Sequence, residues 1–422
     1  MKAIPVVRIV AALFTLLVVL AGATAAAPVA VPGWQAVWAT GTQRPGDNSF
    51  TPNWSMVGFG NQSVRQVIRV SDGGTQLRLR LSNQFGTKPL QVTGATVARS
   101  AGGAAVDPDS LRQLLIGSES AFRIAPGSTA VTDPITLPVE PLELLTVTLF
   151  FADPTGPGTY HAQVLGTSYL AWGDHRSDTA PTAFTVTSSS YYYLAAVETQ
   201  QLRPRSSGVA LLGDSLTEGV GSTMDAHHTY PEVLAESLVA QGKPRPILNL
   251  GIGGNCVTAD SQWMGESAIS RFRRDVLDQP GIGAVVVLEG INDIWLGGGN
   301  LATGGPGPGV SAEQLIAGYR SLITLARAAG IQIIGATIPP AAGSTFGDGD
   351  LVRYDDREGV RKAVNDWIRT SGEYDAVVDS AVVLADPADP ERLAPAFDSG
   401  DHLHLRDAGY VALAAAVATV LD

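Results

Sequence analysis

The chain has 422 residues, 45% of them apolar, and its 28 basic and 40 acidic side chains leave a formal net charge of −12. The length suits about two domains and the apolar share excludes wholesale disorder, while the acidic balance argues against nucleic acid as a partner, because phosphates need a basic face. Cys256 is the only cysteine, which excludes an internal disulfide framework and any multi-cysteine zinc site.

Lys2 and Arg8 precede an apolar run over 9–20 and a small-residue stretch over 21–27. This is the layout of a secretory signal peptide over 1–26, cut after Ala25 or Ala26. The run is too short to serve comfortably as a membrane span. A secreted protein without stable membrane insertion is the expectation. From 33 to 203 the texture is that of strands. Leu77-Arg78-Leu79-Arg80-Leu81 alternates strictly, as a half-buried strand does, and further strands are expected over 90–99 and 144–151. An antiparallel β-sandwich is the natural reading.

After Arg203-Pro204-Arg205 the pattern changes. Short apolar runs at 209–213, 246–251, 284–289, 331–337 and 376–383 suit parallel strands buried on both faces. Helical segments lie between them. Ser311 and Gln314 form a capping box, Leu315, Tyr319, Leu322 and Ala326 share one face, and Gly330 ends that helix. Two more helices are expected over 357–370 and 407–421. Alternating strands and helices predict a doubly wound α/β domain over 206–422, with its ligand at the carboxyl ends of the strands.

Those strand ends carry the chemistry-bearing residues. The first leads into Gly213-Asp214-Ser215-Leu216, the second into a glycine turn ending at Gly254, the third into Gly290-Ile291-Asn292-Asp293. Asp401-His402-Leu403-His404 precedes the last helix. Taken singly, Ser215 reads as a helix N-cap, Gly254 as a turn and Asn292 as a cap. Their meeting at one sheet edge favours acyl transfer. A serine hydroxyl needs a base, which His404 supplies, and Asp401 can bind the other ring nitrogen and fix its orientation. The oxyanion needs aimed donors, for which the backbone N–H groups of Ser215 and Gly254 and the Asn292 amide are candidates. A glycine at 254 would let the backbone approach closely.

With these blocks assembled, the C-terminal half resembles the SGNH (GDSL) hydrolase family. The resemblance implies a flavodoxin-like parallel sheet preceded here by the β-sandwich, and a secreted serine esterase with a Ser215–His404–Asp401 triad. It implies an oxyanion hole of Ser215, Gly254 and Asn292, and neither cofactor nor metal. The N-terminal half is similar to that of members linked to arylesterase and xylan-side-chain esterases. The expected substrate is a small-molecule or polysaccharide ester with a short acyl group. A lipase or phospholipase-type acylhydrolase on longer lipid esters is the alternative, and the glycine-rich loop 297–309 is the lid candidate.

Other residues carry blander expectations. Asp214 and Asp293 shape their loops, Cys256 is a packed core residue, and His227-His228 is a surface pair. Trp295 either packs in the core or lines the acyl pocket. His402 competes with His404 as base, and the spacing favours His404. A metal site of Asp401, His402 and His404, and a purely carbohydrate-binding role for the sandwich, are the competing classes.

Overall fold

The computed structural model describes residues 33–47, 52–201, 207–296, 309–346 and 352–421. The signal-like segment, the Arg203–Arg205 junction and the lid candidate over 297–308 lie outside the described residues.

The N-terminal half is a sandwich of two antiparallel sheets. One is built on Gly33–Ala39, Leu194–Gln201, Gly74–Asn83, Ser128–Val131 and Ile135–Val139, the other on Gln62–Arg69, Leu144–Phe151, Gly94–Arg99 and flanking strands. The alternation read at 77–81 is realised: Leu77, Leu79 and Leu81 are fully buried. They meet Val64, Val97, Leu145 and Val147 of the facing sheet, the interdigitation that holds two sheets together. Arg78 and Arg80 point away and grip the buried carboxylate of Glu198, each at 2.6 Å.

The C-terminal half is a five-stranded parallel sheet, here β1 (Gly208–Gly213), β2 (Ile247–Gly251), β3 (Ile282–Leu288), β4 (Gln332–Ala336) and β5 (Ala376–Val378), in the order β2-β1-β3-β4-β5. Successive side chains of a strand face opposite ways. Ala210, Leu212, Val285 and Val287 therefore pack against one helical layer, and Val209, Leu211 and Val286 against the other. The first layer holds α3 (Ala268–Phe272), α4 (Ile291–Leu296), α5 (Ala312–Ala328) and α6 (Glu358–Thr370). The second holds α2 (Tyr230–Ala240), α7 (Ser380–Leu384) and α8 (Asp407–Ala418). The short α1 (Ser215–Glu218) follows β1. This is the flavodoxin-like architecture, and its strand order reverses between β1 and β3, where such sheets open a crevice.

The capping box at Ser311 and Gln314 is present, and the four apolar residues read on α5 are all buried. The run at 376–383 departs from expectation. It stays a strand only to Val378 and turns into α7. Thr337 is the cause: its hydroxyl donates to Asp379 and accepts from the Ala381 N–H, both at 2.9 Å, which bends the chain. Val382 is consequently two-thirds exposed.

The halves dock on one another. The Ala36 N–H donates to Pro280 O and the Ile247 N–H to Ser71 Oγ, each at 2.9 Å. Ala36, Ala39 and Ala196 of the sandwich share a core cluster with Leu250 and Phe272. Among the described residues no helix is long and apolar enough to cross a membrane.

Candidate active site

Asp214 N-caps α1. Its carboxylate accepts from the Leu216 N–H at 3.0 Å, and its carbonyl accepts from Thr217 and Glu218. The cap sets Ser215 at the first helical position, above the end of β1, with 8% of its surface exposed. From the far side of the sequence, His404 brings Nε2 to 2.9 Å from Ser215 Oγ. Its Nδ1 lies 2.5 Å from Asp401 Oδ2. The other Asp401 oxygen accepts from the His404 N–H at 2.8 Å, the Leu403 N–H at 3.0 Å and the Ser399 hydroxyl at 3.1 Å. Partial burial alone would raise the Asp401 pKa. The hydrogen bond and charge of His404, with those backbone donors, outweigh it and hold the carboxyl well below the usual range. Asp401 is therefore ionised at every working pH, and the relay can take a proton from the serine and stabilise the imidazolium that results.

His402 points elsewhere. Its backbone is left-handed, with φ +64°, and its Nδ1 lies 2.7 Å from Asp398 Oδ2. It does not converge with Asp401 and His404. Among the described residues no group of three or more His, Cys, Asp or Glu side chains could hold a metal ion.

Asn292, at the start of α4, donates from Nδ2 to the Asn255 carbonyl at 3.0 Å. An amide has two N–H groups, so this bond orients the side chain and spends one of them. Gly254 has φ +75°, and a Cβ there would meet Met264 Sδ at 2.1 Å. The glycine requirement thus comes from backbone conformation and from Met264 packing beneath the turn. Asp293 ties the same turn to α4, accepting from the N–H groups of Val257 at 2.7 Å and Thr258 at 2.9 Å.

Arg271 of α3 was not legible as a site residue, because it stands in a charged run, Arg271-Phe272-Arg273-Arg274, that reads as solvated surface. It is fully buried. Its guanidinium donates to Gly213 O at 3.0 Å, Leu250 O at 2.7 Å and Asn255 Oδ1 at 2.9 Å. One side chain thus brackets the ends of β1 and β2 and the residue that orients Asn292. Around it burial pushes Asp214 up to about 7 and Glu218 and Glu289 up to about 8. Several carboxyls sharing one buried cation cannot all ionise at neutral pH.

The remaining candidates resolve simply. Trp295 is core, edge-on to Tyr354 with ring centroids 5.3 Å apart. Cys256 is buried. His227 and His228 each face a carboxylate, Glu232 at 2.7 Å and Asp407 at 2.8 Å.

The C-terminal half carries the likeness to a class of carboxylic ester hydrolases. Residues 211–412 match the GDSL-like Lipase/Acylhydrolase family. No curated protein matches the chain. Among solved structures it is similar to a GDSL-like lipase from Bacteroides thetaiotaomicron, at 19% identity over 51% of this chain and 88% of that one, TM-score 0.38. It is also similar to a carbohydrate acetylesterase family member from Sinorhizobium meliloti, at 16% identity over 50% and 96%, TM-score 0.39. An inhibitor-bound aryl esterase from M. smegmatis matches at 15% identity over 50% and 96%, also with TM-score 0.39.

Proposed function

We propose that the protein is a secreted serine esterase that cleaves short-chain carboxylic esters, including O-acyl groups on polysaccharides, through an acyl-enzyme. Ser215 Oγ attacks the ester carbonyl while His404 Nε2 takes its proton. The backbone N–H groups of Ser215 and Gly254 and the second N–H of Asn292 receive the oxyanion, and His404 returns the proton to the leaving alcohol. Water, activated by the same imidazole, then releases the acid. Asp401 holds the imidazole throughout. In this reading residues 1–26 are the signal peptide, 33–203 an accessory sandwich and 206–422 the catalytic domain. The observation that carries it is the continuous relay from Ser215 Oγ to His404 Nε2 at 2.9 Å and from His404 Nδ1 to Asp401 at 2.5 Å.

The preference for short acyl groups rests on the loop over 297–309, where Leu301 is the only sizeable apolar side chain. Each buried methylene contributes about 0.8 kcal/mol, so a loop without apolar walls gives long chains little advantage. Turnover of p-nitrophenyl acetate that vanishes in Ser215→Ala tests the mechanism; retention of more than about a tenth of the wild-type rate rejects it. The ratio kcat/KM across p-nitrophenyl esters from acetyl to palmitoyl tests the acyl class. A maximum at decanoyl or longer selects the lipase alternative.

A further inference from the structure

Glu218 closes the four-residue helix that Ser215 opens, and its side chain is 2% exposed. Oε1 lies 3.3 Å from Nε2 of His161, which belongs to the sandwich. Oε2 faces the glycine turn after β2: a Cβ on Gly253 would stand 2.8 Å from it. One on Gly251 would stand 2.1 Å from the Glu218 backbone nitrogen. Two of the glycines leading to Gly254 therefore make room for Glu218 and the helix carrying it, rather than for substrate. The segment after Ala39, whose Gly41 carbonyl holds the His161 ring, is pressed onto the same turn, since a Cβ on Gly41 would meet the Ile252 side chain at 2.8 Å.

We infer that Glu218 is a positioning residue through which the β-sandwich sets Ser215 and the Gly253-Gly254 turn relative to one another. The inference rests on the reading of Ser215 as nucleophile. The tautomer of His161 says how the contact works. Its Nδ1 lies 2.7 Å from the Gly41 carbonyl, which can only accept, so Nδ1 carries the hydrogen and a neutral ring offers a lone pair at Nε2. A carboxylate at Oε1 would oppose that lone pair; a carboxylic acid gives it a proton. The surroundings favour the neutral pair. Burial drives His161 down to about 4 and Glu218 up to about 8.

The charged and titratable groups facing the pair come from every packed element: Asp214 at the head of α1, Arg271 of α3 and Asp275 after it, Tyr160 of the sandwich and Tyr410 of α8. The Gly253 N–H and, more weakly, Arg271 favour the ionised acid, and burial outweighs both. The pair also forms part of the wall of a cavity of about 350 Å³ between sandwich and sheet, with Tyr191 and Asn249 nearby. Once ionised, Glu218 can take water from that cavity and release its hold on the sandwich.

The test is the pH profile of kcat on p-nitrophenyl acetate, with Tm recorded for each variant. Wild type should lose kcat on an alkaline limb centred near pH 8, following Glu218. Glu218→Gln, neutral and able to donate, should keep kcat within about twofold at pH 6.5 and abolish that limb. Glu218→Ala and His161→Ala should lower kcat about 10- to 100-fold with little change in KM, the scale of a small misplacement of reacting groups. If either alanine variant fails to fold, the Glu218→Gln profile decides alone. An unchanged alkaline limb in Glu218→Gln, or a loss at pH 6.5 equal to that of Glu218→Ala, overturns the inference. These outcomes are independent of the nucleophile assignment, which fails only if Ser215→Ala stays active.

Discussion

Replacing Arg271 with alanine would remove a cation that three acceptors and the carboxyls of Asp275 and Glu289 depend on. The guanidinium satisfies Gly213 O, Leu250 O and Asn255 Oδ1 and lies 3.2 Å from Asp275. Hydrogen bonds to a charged group contribute about 1.5–3 kcal/mol each. Water entering the void recovers part of their sum, so the expected loss is that of breaking a buried ionic network, about 3–5 kcal/mol. For a domain of this size that corresponds to a fall in Tm of about 6–20 °C. The loss should also depend on pH. Arg271 lowers the pKa of Asp214, Glu218 and Glu289, so without it they rise further. The folded state then holds those protons to higher pH while the unfolded chain has released them, and stability falls more steeply as pH rises. Urea unfolding and calorimetry of Arg271→Ala at pH 5 and pH 8 should show the larger loss at pH 8. Arg271→Lys should recover only part, because one ammonium lacks the fork that reaches three acceptors. A loss below about 1 kcal/mol, the scale of an ordinary surface change, or one that is larger at pH 5, would refute the reasoning.

Asn292→Ala should lower kcat by roughly 10²–10³ with KM moving less, the scale of one oxyanion donor; a change confined to KM would make Asn292 a substrate contact instead. His404→Ala should be far more damaging to ester hydrolysis than His402→Ala, since His402 is turned toward Asp398, and the reverse order in a steady-state assay would assign the base to His402. The wild-type Tm should fall between pH 5 and pH 8. Asp214, Glu218 and Glu289 have folded pKa values of about 7, 8 and 8, above the unfolded carboxyl value of about 4. Their contribution is complete below the unfolded value and is lost as pH rises through the folded one. His161, lowered to about 4, opposes this only below its unfolded value of about 6.5. Calorimetry finding a Tm that climbs from pH 5 to pH 8 would contradict these assignments.

Much of this architecture is local, and local features are legible in sequence. The alternation at 77–81 already specifies which leucines face the sandwich core, because a strand side chain has only two directions to point. The doubly buried strands announce themselves as apolar runs, and the Ser311–Gln314 box states its own hydrogen bonds. The blocks at 213–216, 290–293 and 401–404 could likewise be placed at strand ends, since each abuts such a run or precedes the last helix. The strand misread at 376–383 failed for a physical reason: Thr337, about forty residues earlier, captures Asp379 and Ala381 and turns the chain, and no property of the run itself records that.

What the linear chain could not carry is which distant groups share a low-dielectric space. Arg271 looks like one more surface cation until α3 packs it beneath the ends of β1 and β2, where its charge must be answered by carbonyls. Glu218 looks like a polar residue closing a short helix until the sandwich lays His161 against it. Gly251 and Gly253 read only as part of a glycine turn until Glu218 and its helix are seen to occupy their missing Cβ positions. Residue types and turns follow from short-range sterics and periodicity, which the sequence by itself determined. Burial, and with it the protonation of Asp214, Glu218, His161 and Glu289, depends on contacts between segments far apart in the chain, and only the tertiary structure decided it.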